Sequence, residues 1–173
     1  RRVNGAEASD SFYSAAVKPL PDWAKISVPL DSNLKAEDPK TPDTIAKLSE
    51  ALNREGWLKR SFAYLWDEPA KADMPALKRL AALVRKQAPG LKILVTTTPE
   101  KELEDLIDIY APIMDAYDLP GENPPPARYT ELQKKGKEVW LYASCVSHGC
   151  GNDVDSGAPD WVIDRPGTHI RSQ

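Results

Sequence analysis

The sequence predicts an α/β fold built from alternating strands and helices with a parallel sheet. Three observations lead there. Short apolar, β-branched runs recur along the chain, helical 3.6-residue periodicities lie between them, and strands alternate with helices at spacings of roughly 15 to 30 residues, as in βαβ units. The 173 residues are 41% hydrophobic and 28% charged, with 26 acidic against 23 basic side chains and a formal net charge of −3. This is the composition of an ordinary globular chain, with neither a nucleic-acid footprint nor a polybasic membrane surface. Charge and Pro interrupt every apolar stretch before the roughly 18 residues that a spanning helix needs.

Residues 1–40 read as an irregular segment containing one short strand, Lys25-Ile26-Ser27-Val28-Pro29-Leu30, whose Pro29 suits an edge or an end. The beginning, Arg1-Arg2-Val3-Asn4-Gly5, has no initiator Met and no apolar signal core, as expected of a processed or excised chain. Residues 41–173 carry the regular pattern. Thr41-Pro42 is a helix start with Thr as N-cap, and Ile45, Leu48 and Leu52 continue it to Gly56, giving a helix over 42–55. Phe62-Ala63-Tyr64-Leu65-Trp66 has no helical period and reads as a buried strand. Asp73 is placed to cap the next helix, in which Leu77, Leu80, Ala81, Val84 and Ala88 form one face before Pro89-Gly90.

Lys92-Ile93-Leu94-Val95-Thr96-Thr97 is a second strand. An acidic helix over 100–106 leads into a third, Ile107 to Ile113, by alternation. A Pro-rich loop at 121–126, a helix over 127–135 with Gly136 as its left-handed cap, and a fourth strand from Glu138 to Ala143 follow. No Gly-rich phosphate loop follows any strand, so a dinucleotide or P-loop site has nothing to rest on. A (β/α)8 barrel fits the alternation, but a full one takes about 250 residues and eight strands. The expectation is a partial barrel with about half of its strands.

The chemistry concentrates at Tyr64-Leu65-Trp66-Asp67-Glu68-Pro69. Two adjacent carboxylates end a buried strand, the end at which parallel α/β folds build active sites. On a regular pleat Trp66 and Glu68 share one face and Asp67 points to the other, so both carboxylates reach one substrate only if the strand bends. Pro69 is expected to hold Glu68 extended. Crowding against an indole and a second carboxylate favours the neutral acid on one group and the anion on its neighbour, the division of labour of a general acid and an electrostatic stabiliser. The plain alternative is a strand-end turn whose carboxylates cap the following helix.

These motifs resemble a known family. Leu65-Trp66-Asp67-Glu68-Pro69, Lys92-Ile93-Leu94, Ile107-Asp108-Ile109-Tyr110-Ala111-Pro112, Val139-Trp140-Leu141-Tyr142 and Ile163-Asp164-Arg165-Pro166-Gly167 look like successive motifs of the DUF4091 domain. That domain is the catalytic barrel of glycoside hydrolase family 123, the retaining β-N-acetylgalactosaminidases. The resemblance implies a substrate-assisted mechanism in which the 2-acetamido oxygen is the nucleophile, an exception to the usual two-carboxylate scheme. It implies that Glu68 is the general acid/base and that Asp67 orients and stabilises the acetamido group. The family's amino-terminal barrel strands and β-sandwich domain have no counterpart here, so activity is expected of the intact parent protein, with the missing part of the parent chain as a partner. The expected partner otherwise is a glycan or glycoside substrate, without cofactor or metal. The alternative is a non-catalytic carbohydrate-binding or structural module.

Trp66 and Tyr142 are candidate substrate contacts because aromatic rings suit the apolar faces of sugars; Trp140, on the same face as Tyr142, fits the barrel core better. Thr97 and Thr98 could donate to sugar hydroxyls, although such residues are also ordinary at strand ends. Tyr110 shares a strand face with Asp108, and a polar pair inside a barrel wants partners, which makes a structural network the default and substrate contact the alternative. Cys145, His148 and Cys150, with His169 further on, offer metal ligands without a paired Cys-x-x-Cys knuckle. A Cys145 to Cys150 disulfide is the preferred reading if the protein is exported. An extracytoplasmic or secreted location goes with that bridge, and a cytoplasmic one stays open. Lys134-Lys135-Gly136-Lys137 reads as a solvated helix end suited to the helix dipole.

Overall fold

A computed structural model of the chain describes residues 21, 23–113 and 126–142. The expectations for Cys145, His148, Cys150 and His169, for the motif at 163–167 and for residues 1–20 lie outside the described residues. The strands are β1 (Ile26–Val28), β2 (Ser61–Asp67), β3 (Lys92–Thr96), β4 (Ile109–Tyr110) and β5 (Glu138–Val139). The helices are α1 (Thr41–Arg54), α2 (Met74–Gln87) and α3 (Pro126–Lys134). The strands form a five-stranded parallel sheet in the order β1-β2-β3-β4-β5. The α/β class and the parallel alternation are therefore as the sequence predicts. The chain divides into two compact units, residues 1–66 with 70–93 and residues 67–69 with 94–173.

In the first unit β1 pairs in parallel with β2, Ile26 opposite Ser61 and Val28 opposite Ala63. β2 alternates as a pleat requires: Ser61, Ala63 and Leu65 are buried while Phe62, Tyr64 and Trp66 are half-buried. α1 buries Thr41, Ile45, Ser49 and Leu52, and α2 buries Leu77, Leu80, Ala81 and Val84, each set at three- and four-residue spacing. The two helices pack on each other. Their starts correct two expectations. Lys40, not Thr41, is the N-cap of α1, and the Thr41 hydroxyl instead donates to the Lys35 carbonyl at 2.7 Å. Asp73 does stand at the N-cap of α2, but its side chain makes no cap bond; its Oδ2 accepts the Ala70 amide at 2.9 Å, closing a single 3₁₀ turn, Lys71–Asp73, that precedes the helix. Thr41 is already the first helical residue, with its hydroxyl turned back to the preceding loop, and the Asp73 carboxylate turns back onto Ala70.

In the second unit Leu94 and Val95 of β3 lie opposite Ile109 and Tyr110, which lie opposite Glu138 and Val139 of β5. The third strand is shorter than the predicted Ile107 to Ile113. At its start the Ile107 amide is taken by the Leu103 carbonyl in the turn after the 3₁₀ helix Lys101–Leu103, which replaces the predicted acidic helix. At its end Pro112 has no N–H to give. Pairing resumes beyond it as an isolated parallel bridge between Ile113 and Tyr142, with the Trp140 amide donating to the Tyr110 carbonyl at 2.9 Å and the Tyr142 amide to that of Pro112 at 3.3 Å.

α3 buries Tyr129 and Leu132 and ends in a Schellman motif: the Lys137 amide reaches the Leu132 carbonyl and the Gly136 amide that of Gln133, with Gly136 at φ +81°. α1 ends the same way, through Trp57 to Leu52 and Gly56 to Asn53, with Gly56 at φ +74°. The lysines after α3 are not simply solvated. Lys135 bonds Glu104 at 2.8 Å, Arg128 pairs with the same carboxylate, and the Lys137 ammonium donates to the Ile107 carbonyl at 2.7 Å.

Candidate functional site

The site is built at the carboxyl end of β2, where Asp67 is the last strand residue and both Asp67 and Glu68 are exposed. Glu68 has φ +44°, the one non-glycine positive φ among the described residues. This corrects the expectation that Pro69 would hold Glu68 extended. A left-handed L-residue costs about 1–2 kcal/mol, so this conformation persists only where neighbouring contacts over-determine it. It breaks the regular pleat where β2 ends.

The contacts that hold the bend come from the same unit. The Glu68 amide donates to the Thr96 hydroxyl at 2.7 Å, and that hydroxyl donates to Oδ1 of Asp67 at 2.9 Å. Thr96 is the last residue of β3 and only 7% exposed. The Tyr142 phenol, which follows β5, donates to Oε1 of Glu68. Asp67, Glu68, Thr96 and Tyr142 thus meet at the carboxyl ends of parallel strands, two exposed carboxylates each joined to a hydroxyl. Such a set can bind the polar face of a ligand, give or take a proton at Glu68 and face a developing positive charge with Asp67.

The remaining expected residues are distributed differently. Trp66 is half-buried, as are Thr97 and Thr98, and the Thr97 amide turns back onto the Val95 carbonyl at 3.0 Å. Tyr110 is fully buried, and its hydroxyl has no hydrogen-bond partner among the described residues. Burial and the carboxylates of Asp105, Asp108 and Glu100 push the Tyr110 phenol well above its usual range. It lies in the core and has no surface to offer a ligand in this structure. Trp140 is half-buried, with its indole N–H on Oε2 of Glu138 at 3.0 Å.

Thr96 is the residue that sequence reasoning missed. Thr97 and Thr98 are the candidates at this strand end in the sequence, yet the strand ends at Thr96, whose hydroxyl meets Asp67 and Glu68. The partner lies 28 residues away in sequence, and no local pattern marks it. Among the described residues no group of three or more His, Cys, Asp or Glu side chains is arranged to hold a metal ion, and no helix is long and apolar enough to cross a membrane. No protein-family model matches the chain, and no curated protein matches it.

Proposed function

We propose that this chain carries the acid/base segment of a glycoside hydrolase that cleaves β-linked N-acetylhexosamine, of the N-acetylgalactosamine type, by substrate assistance in the intact parent protein. The observation that carries the reading is the bent Asp67-Glu68 pair, with both carboxylates exposed at a strand's carboxyl end and each tied to a hydroxyl donor. The sequential strand order, without the reversal of a doubly wound sheet, supports a partial (β/α)8 barrel. The ordered motifs that resemble glycoside hydrolase family 123 support the substrate class.

In this mechanism Glu68 gives its proton to the glycosidic oxygen as the bond to the anomeric carbon breaks. The substrate's own acetamido oxygen forms the new bond to that carbon, and Asp67, as the anion, orients the acetamido N–H and stabilises the oxazolinium ion. Water then attacks the anomeric carbon and gives its proton to Glu68 as the bond from that carbon to the acetamido oxygen breaks, which restores the acid and the acetamido group and releases the sugar with retained configuration. Tyr142 is the aromatic candidate for the sugar surface within the unit that holds the pair.

The test is Glu68→Gln and Asp67→Asn in the full-length protein, assayed on β-N-acetylhexosaminides with activated and unactivated leaving groups. Loss of the acid should slow the unactivated substrate by roughly 10²- to 10⁴-fold and the activated one far less. Loss of the stabiliser should slow both by roughly 10²- to 10³-fold, because both share the oxazolinium-like transition state. Wild-type rates in both variants would refute the catalytic assignment and favour a carbohydrate-binding module, in which the same hydrogen bonds merely shape a polar surface.

A further inference from the structure

We infer that Thr96 is the positioning residue of the Asp67-Glu68 pair, holding the left-handed backbone of Glu68 and the aim of the Asp67 carboxylate with one hydroxyl; its effect on turnover rests on the glycosidase reading above. A hydroxyl has one proton and two lone pairs, so it can accept from one group while donating to another. Thr96 does both: Oγ1 accepts the Glu68 N–H at 2.7 Å and gives its own proton to Asp67 Oδ1 at 2.9 Å. The Glu68 amide needs such an acceptor because the chain turns sharply where β2 ends.

The choice of threonine is physical. Its β-branch restricts χ1, and its burial at the end of β3 leaves the hydroxyl little freedom to swing away. Asp67 and Glu68 are both exposed. The Glu68 backbone and the aim of the Asp67 carboxylate are therefore held by a residue that need not touch the substrate, while the Glu68 carboxylate is held by Tyr142. Removing that oxygen while keeping the side-chain shape frees the Glu68 backbone to return to negative φ and takes from Asp67 Oδ1 the donor that aims it.

Thr96→Val and Thr96→Ser in the full-length protein test this, with crystal structures of each variant and kinetics on activated and unactivated β-N-acetylhexosaminides. The expected result for Thr96→Val is a negative φ at Glu68 and a kcat lowered roughly 10- to 100-fold for both substrate types, with KM changed far less, as misplacement of reacting groups produces. Thr96→Ser keeps the oxygen and should restore both the positive φ and most of kcat. A folded Thr96→Val protein whose Glu68 keeps its positive φ, or whose kcat is unchanged in an active enzyme, overturns the inference. If the wild-type protein hydrolyses no such substrate, the glycosidase reading falls separately, and the φ values of the two variants alone decide the role of Thr96. If Thr96→Val does not fold, amide exchange in the wild-type protein decides: a Glu68 amide slowed well below its open-chain rate supports the bond to Thr96, and one exchanging at that rate overturns it.

Discussion

The Tyr142 phenol donates a hydrogen bond to the Glu68 carboxylate across 74 positions of sequence. It joins the chain just beyond β5 to the bend that follows β2, and it gives the exposed Glu68 side chain a fixed partner. A carboxyl group that transfers a proton must be held in line with the oxygen it serves, and a freely rotating glutamate is not.

Tyr142→Phe keeps the ring and removes that donor. The expected outcome is a fall of about 10- to 100-fold in kcat on unactivated β-N-acetylhexosaminides, the equivalent of one hydrogen bond to a charged group. The unfolding midpoint should stay close to that of the wild type, since the bond is exposed. Steady-state kinetics beside a thermal melt checks both halves, and an unchanged kcat would show that Glu68 needs no help from Tyr142.

Tyr110→Phe addresses a buried hydroxyl without a hydrogen-bond partner among the described residues. Replacing it with hydrogen removes a desolvation cost, so the variant should match the wild type at neutral pH or exceed it by about 1 kcal/mol. The pH dependence follows from the upward shift of the phenol, caused first by burial and then by nearby carboxylates. The folded protein holds this proton more tightly than the unfolded chain does. The contribution is complete below the ordinary tyrosine value of about 10 and is lost as pH rises from there towards the higher folded value. Urea denaturation across that alkaline range should show a shallower loss of stability for Tyr110→Phe than for the wild type.

Gly56→Ala and Gly136→Ala probe the two Schellman ends. Neither glycine has a neighbouring atom within 4 Å of where a Cβ would stand, so the cost is that of the backbone conformation alone. Each substitution should destabilise by about 1 kcal/mol, a drop of roughly 2–4 °C in Tm for a chain of this size. A melt unchanged in both variants would contradict the left-handed caps.

The legible parts of this protein were those whose signal is local. Ile45 and Leu52 in α1, Leu77 to Val84 in α2, and the apolar runs of β2 and β3 report their own periodicity, because the side chains that must be buried repeat within a few residues. Gly136 was readable for the same reason, since a helix end requires a left-handed residue at a set place. The Asp67-Glu68 pair stood out as chemistry at a strand's carboxyl end, and its adjacency is a property of the chain itself.

Tertiary structure decided how that pair is used. The left-handed φ of Glu68 goes against the local preference before a proline, and it is held by a hydroxyl 28 residues away in sequence. Selecting Thr96 over Thr97, burying Tyr110 in the core, and turning Lys135 and Lys137 onto Glu104 and the Ile107 carbonyl all depend on which backbone lies alongside and in what register. A hydrogen bond is satisfied only by the group that folding brings within about 3 Å, and its partner can lie anywhere along the chain. Periodicity is written over a few neighbouring residues, whereas the orientation of Asp67 and Glu68 is set by Thr96 and Tyr142, which approach them only when the parallel strands are in place.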